Sequence, residues 1–198
     1  KDETLIVYTS DQGYWLGQHG LYDKRLLLEE SVKMPLIVRY PASIKAGTVN
    51  EELISNVDFA PTLLEFAGIK ADSRMQGRSI VPLLSGKTPG DWRQAIWYAY
   101  GAAGHPHWGM RSKRYKLVLF PGTEDFEFYD LEKDPREMTN LAGVTDYAAA
   151  IAEARKTVEE LKLEVGIRPG QLPAKGGWSK SGARERERKK KNRKQESN

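Results

Sequence analysis

A short apolar run, Leu5-Ile6-Val7-Tyr8, leads directly into Ser10-Asp11-Gln12-Gly13-Tyr14-Trp15-Leu16-Gly17-Gln18-His19-Gly20-Leu21-Tyr22-Asp23-Lys24-Arg25. The run reads as a buried strand. The segment behind it gathers two carboxylates, two amides, an imidazole and two cations around three glycines. That placement narrows the fold, because ligands in open α/β sheets collect just outside the carboxyl ends of strands. Asp11 and Gln12 offer one charged and one neutral oxygen, the donor type of a hard cation such as Ca2+. The same pair followed by Gly13 is also ordinary turn chemistry. Lys24 is a compact point charge able to sit against an oxyanion. His19, between glycines, is open to three roles: general acid, anion contact or turn residue.

The pattern behind this segment alternates strand and helix signals over residues 1–92. Residues 4–9 and 36–40 read as strands, and 13–20, 27–32, 59–67 and 79–84 as helices. Asp58 is expected to N-cap the 59–67 helix, with Pro61 in its first turn and Gly68 as its stop. The rhythm implies βαβ units around a parallel sheet. Residues 93–168 read differently. Short strands at 95–100, 108–111, 115–120 and 127–130 suggest an antiparallel sheet, followed by a helix over 145–164. That helix carries Tyr147, Ile151, Ala154, Val158, Leu161 and Val165 as a single apolar stripe. Arg111, Arg114 and Lys116 read as solvated charge astride a strand, and Trp15 as core. Glu29 and Glu30 open a helix and complement its dipole, with a pocket-lining role as the alternative.

Composition matters chiefly at the end of the chain. The net charge is +4. Residues 184–198 hold eight Lys or Arg against three Glu, so this stretch carries +5 and residues 1–183 carry about −1. Residues 169–198, rich in Gly, Pro, Lys and Ser, are expected to be a disordered basic tail. The tail lacks aromatic interleaving, which argues against nucleic acid as its partner. The absence of cysteine excludes disulfides, thiolate ligands and a Cys nucleophile. No apolar run is long enough to span a bilayer.

The segment 10–24 resembles the sulfatase pattern S-D-[HNQ]-G-x-x-L-G-x-H-G-x-x-x-K. The resemblance continues through Glu29-Glu30-Ser31-Val32-Lys33-Met34-Pro35, Asp58-Phe59-Ala60-Pro61-Thr62 and Met75-Gln76-Gly77-Arg78-Ser79. It runs on through Arg111-Ser112-Lys113-Arg114-Tyr115-Lys116-Leu117 and Tyr129-Asp130-Leu131-Glu132-Lys133-Asp134-Pro135. It covers roughly residues 1–165 in order. It implies an α/β fold: the C-terminal part of an alkaline-phosphatase-like sulfatase fold over 1–92, and a small antiparallel α+β domain over 93–168. It further implies hydrolysis of sulfate esters, with carbohydrates the expected substrates. Asp11 and Gln12 would be Ca2+ ligands, and Lys24 and His19 catalytic residues that also touch the sulfate. The loop holding His105 and His107 can approach the substrate in such enzymes, which makes His107 a candidate substrate contact. The setting implied is secreted, periplasmic or lysosomal.

Part of the family's machinery is missing from the sequence. The formylglycine nucleophile is made from Cys or Ser in a C/S-x-P-x-R motif, and no residue here stands in one. Nor is there an Asp-Asp pair to complete the cation's ligands. The sequence therefore reads as the C-terminal portion of a sulfatase whose partner is the preceding part of the same polypeptide, inactive by itself. Two alternatives stand beside this: a phosphonate or phosphodiester hydrolase of the same superfamily, and a non-catalytic anion-binding module.

Overall fold

The computed structural model describes residues 2–101, 106–168 and 171–172. Of the expected tail, residues 169–170 and 173–198 lie outside the described residues, as does His105. The chain divides into two compact units. One comprises Lys1–Ile96, Arg111–Tyr115 and Asp130–Thr139; the other comprises Trp97–Met110, Lys116–Tyr129 and the described residues from Asn140 onward.

In the first unit, β1 (Ile6–Thr9) pairs with β4 (Leu36–Arg39), with Ile6 opposite Arg39 and Thr9 opposite Leu36. The pairing is antiparallel, not the parallel arrangement expected. A parallel return needs a crossover helix that packs back on the sheet. The connection here has none long enough: it holds a hairpin, β2 (Trp15–Leu16) with β3 (Tyr22–Asp23), and the single turn α1 (Glu29–Val32). The helix expected over 13–20 is replaced by this hairpin and a 3-10 turn, Gln18–Gly20. Gly17 at φ 109°, His19 at φ 54° and Gly20 at φ 70° are left-handed, a conformation no α-helix continues through.

Helix α2 (Phe59–Phe66) ends at Gly68, whose positive φ of 68° fits the expected stop. Asp58 stands at its N-cap position as expected, but its side chain makes no cap bond to the helix. A 3-10 turn, Asn56–Asp58, precedes α2, and Asp58 closes a capping box with Ser55. Its carboxylate, 0 % exposed, accepts N–H groups from Ser55 (2.8 Å), Arg78 (2.8 Å) and both terminal nitrogens of Arg93 (2.6 and 2.7 Å). Its carbonyl accepts from Thr62 Oγ1 at 2.6 Å, and that hydroxyl accepts from the Ile80 N–H at 3.0 Å. Asp58 thus ties three stretches of chain, around residues 55–62, 78–80 and 93, on either side of α3 (Val81–Leu84). Ile80, Leu83 and Trp92 form the adjoining apolar cluster, with the Trp92 indole N–H donating to the Leu53 carbonyl at 2.9 Å.

Four strands form one sheet in the order β5 (Ala95–Tyr100), β6 (His107–Ser112), β7 (Tyr115–Leu119) and β8 (Phe126–Asp130). The connections are too short for parallel crossovers, so the sheet is the expected antiparallel meander. Within the second unit, Lys116, Leu117 and Val118 are all buried, so both faces of β7 are covered. This corrects the reading of Lys116 as solvated: β7 is an inner strand, and its alternation carries one face no more open than the other. Gly109 on β6 lies so close to the Leu117 carbonyl that any side chain there would collide with it. Helix α4 (Ala148–Glu164) buries Ile151, Ala154 and Val158, the centre of the expected stripe. Its Arg155 guanidinium sits 4.4 Å from the Phe126 ring centroid on β8. No helix among the described residues is long and apolar enough to cross a membrane.

Arg114 and Asp130, in the first unit, are also paired and not simply solvated. The guanidinium donates to Asp130 through Nη2 at 2.9 Å and Nε at 3.2 Å, and the carboxylate is fully enclosed. These bonds hold the Asp130 carboxyl below its ordinary value of 3.8. A lowered folded-state pKa stabilises the fold above the unfolded value, and that contribution is lost as pH falls through the folded one. Asp130→Asn is therefore expected to flatten the acid limb of a urea-midpoint-against-pH curve below about pH 4. An unaltered acid limb would show that Asp130 is not the group responsible.

Candidate functional site

All four sequence-derived candidates of the opening segment lie in the first unit. Asp11 is exposed and Gln12 half-buried, just past the end of β1. Ser10 Oγ donates to the Gln12 carbonyl at 2.8 Å and lies 3.3 Å from Asp11 Oδ1, which folds the three residues into a tight turn. The β2–β3 register sets Asp23 opposite Trp15 and Tyr22 opposite Leu16. Continued by one step, it brings Lys24 level with Tyr14, two residues from Gln12. Lys24 is half-buried and forms no ion pair with a described carboxylate. Arg25 beside it does, to Asp23 at 2.8 Å.

His19 is held in the left-handed turn of this hairpin, a costly conformation for a residue with a Cβ. Its Nε2 lies 3.4 Å from Glu30 Oε2, with the side chains 14 % and 24 % exposed. The loop and α1 are locked together beside this pair. The Gly13 N–H donates to the Ser31 carbonyl at 2.8 Å. A Cβ at Gly13 would overlap the Glu30 carbonyl oxygen, so only glycine allows the turn to lie this close to α1.

Glu30 also lines a charged cleft of about 350 Å3 with Glu29, Lys33, Arg111, Lys113, Leu131 and Pro135. Arg111 pairs with Glu29 at 3.1 Å and Lys113 with Glu52 at 2.8 Å. The Glu29 N–H donates to Glu137 Oε2 at 2.6 Å. Sequence reasoning offered a pocket-lining role for Glu29 or Glu30 as an alternative but missed the pairing with Arg111. Arg111 and Glu29 stand 82 positions apart, and no local periodicity links them.

His107 lies in the second unit and is 0 % exposed. Its ring stands 5.8 Å from Tyr98, 5.4 Å from Tyr100 and 6.0 Å from Phe120, centroid to centroid. Burial in this aromatic layer pushes the Tyr98 phenol above its ordinary value. His107 thus packs as an interior residue of its sheet.

Among the described residues, no three His, Cys, Asp or Glu gather as a metal-binding group. Asp11 and Gln12 supply hard oxygens of the right chemistry, but Ca2+ takes about six to eight. The residues fit part of a coordination sphere and not the whole of it.

The family model for the C-terminal region of N-sulphoglucosamine sulphohydrolase matches residues 17–164. An N-acetylglucosamine-6-O-sulfatase from Bacteroides thetaiotaomicron is 48 % identical over 171 residues, covering 82 % of this chain and 31 % of the relative. A solved structure in complex with its substrate D-glucosamine-2-N,6-O-disulfate superimposes with a TM-score of 0.82 at 44 % identity, over 85 % of this chain and 36 % of the other. The phosphonate monoester hydrolase of Agrobacterium radiobacter follows with a TM-score of 0.76 at 30 % identity, over 83 % and 36 %. The chain spans about a third of the length of these relatives.

Proposed function

The chain belongs to the N-sulphoglucosamine sulphohydrolase C-terminal family, and on that premise we propose that it is the C-terminal portion of an exported sulfatase acting on sulfated amino sugars. Its fold is the α/β fold of the alkaline-phosphatase-like sulfatases. The observation that carries the proposal is the 48 % identity to a glucosamine-type sulfatase over 82 % of the chain, together with a family match over residues 17–164 that takes in His19 and Lys24. No residue of this sequence stands in a C/S-x-P-x-R motif, which supports the nucleophile being supplied by another part of the polypeptide. The apolar residues Ile6, Val7, Tyr8 and Ile37 are exposed on both faces of the β1–β4 ribbon, which supports further polypeptide covering them.

In this reading Asp11 and Gln12 contribute two of the oxygens that hold Ca2+. The ion, when bound by these and further ligands, would supply fixed positive charge to the site. Lys24 places its ammonium against a sulfate oxygen and neutralises charge that grows as the S–O bond to the sugar breaks. A general acid of the full-length site hands a proton to the departing sugar oxygen, which would otherwise leave as an alkoxide. The reading also supports a carbohydrate as the partner of the site.

A second reading, hydrolysis of phosphonate monoesters, is favoured by the likeness to the Agrobacterium enzyme. The test is direct comparison in the full-length polypeptide. Release of inorganic sulfate from N-acetylglucosamine 6-sulfate is expected to outpace cleavage of a phenyl phosphonate monoester. Dominant phosphonate cleavage would exchange the two readings.

A further inference from the structure

We propose that Tyr14 is a specificity-determining contact for the sugar: its ring takes the apolar face of the pyranose whose sulfate Lys24 holds. The inference rests on the function proposed above. Tyr14 is 50 % exposed, whereas its neighbour Trp15 is 2 % exposed. Successive side chains of an extended segment point to opposite sides, so the burial of Trp15 turns Tyr14 outward. Leu16, two residues on, shares that outer side and stands opposite Tyr22 on β3. Both are largely exposed. The outer side of the hairpin thus carries three large apolar or aromatic side chains together, which a single stray residue would not match.

The backbone under Tyr14 is fixed on both sides. The Gly13 N–H donates to the Ser31 carbonyl at 2.8 Å, and no Cβ fits between Gly13 and the Glu30 carbonyl. Trp15 is enclosed and paired with Asp23. The ring is therefore presented from a set position directly after the Asp11–Gln12 turn. A tyrosine so placed has two side-chain torsions to order when a ligand covers it, and the cost is small for the area gained.

The charge nearby selects the occupant. Lys24 stands level with Tyr14 across the hairpin and forms no ion pair with a described carboxylate. Neighbouring strands lie about 5 Å apart. One ligand that meets both residues needs an apolar face and an anion close together. A sulfated pyranose has both: its C–H groups form an apolar face, and its ester carries the charge. Tyrosine suits that ligand, because the ring body is apolar while the hydroxyl end stays wet. Small-molecule sites commonly combine apolar walls with a few placed polar groups in this way. A bare sulfate ion, which has no ring, would use the Lys24 side alone.

The test separates sugar from sulfate in the full-length enzyme. Tyr14→Ala is expected to raise KM for N-acetylglucosamine 6-sulfate by about 5–30-fold and to change kcat much less, the pattern of a contact made equally in the ground and transition states. Inhibition by inorganic sulfate is expected to be unchanged, and so is the melting temperature. Tyr14→Phe should retain nearly all of the affinity, since the ring and not the hydroxyl makes the contact. An unchanged KM in Tyr14→Ala overturns the proposal. Weaker inhibition by sulfate or a lower melting temperature does so too, because either would place the ring against other parts of the polypeptide. A loss in Tyr14→Phe as large as in Tyr14→Ala is equally fatal. A parent enzyme that releases no sulfate from the sugar ester would overturn the function proposed above and the inference with it. Normal turnover with indifference to Tyr14 overturns the inference alone.

Discussion

Lys24→Ala is expected to lower sulfate release from N-acetylglucosamine 6-sulfate by about 10²–10³-fold, the cost of removing one preorganised group that stabilises transition-state charge. The expectation rests on placement. The hairpin register returns Lys24 to the level of Tyr14, beside the Asp11–Gln12 turn, and no described carboxylate holds its ammonium. Its charge is thus available to a sulfate oxygen, whereas that of Arg25 is engaged by Asp23. Lys24→Arg should recover only part of the loss, because a planar fork does not occupy the site of a compact ammonium. Steady-state kinetics on the full-length enzyme, with thermal unfolding to confirm that the variants are folded, supplies the measurement. A rate near that of the parent enzyme would remove Lys24 from the site.

Asp58→Ala is expected to destabilise the fold by about 3–5 kcal/mol, since it leaves a mostly buried guanidinium without its partner. Arg93 is only 14 % exposed, and both of its terminal nitrogens bond to Asp58. The same carboxylate accepts the Ser55 and Arg78 N–H groups, so these donors lose their acceptor as well. Against a typical domain stability of about 5–15 kcal/mol the loss is large. Urea unfolding should show a lower midpoint with a similar slope. Asp58→Asn should fall between, because one amide oxygen cannot serve four donors. Replacing Asp58 and Arg93 together by apolar residues of similar volume should recover part of the stability, since neither charge is then buried alone. A small effect in the single variant would mean that water reaches Arg93 once the carboxylate is gone.

The contrast between these residues explains what could be read without coordinates. Lys24, Asp11, Gln12 and His19 stand within fifteen consecutive residues, so their chemistry is local and their spacing visible. The stripe Ile151, Ala154 and Val158 was equally legible, because a helix converts sequence spacing directly into a face. The Gly68 stop and the antiparallel meander follow from turn chemistry and short connections in the same way.

Other features depend on contacts between distant segments. Asp58 carries the sequence signature of an N-cap, yet the Arg93 guanidinium and the Ser55 and Arg78 amides claim its carboxylate. Lys116 and Arg111 look like surface charge in any window of the chain; enclosure of β7 on both faces and the approach of Glu29 remove them from that class. The 13–20 segment reads as a helix, but Gly17, His19 and Gly20 at positive φ fold it into a hairpin turn and bring His19 to within 3.4 Å of Glu30. By itself, then, the sequence determined the family resemblance, the antiparallel meander, the stripe of α4 and the Gly68 stop, all carried by neighbouring residues. Tertiary structure alone decided the antiparallel β1–β4 pairing, the partners of the buried charges and the carboxylate beside His19. Those depend on which distant groups desolvate one another, and chain order does not encode that distance.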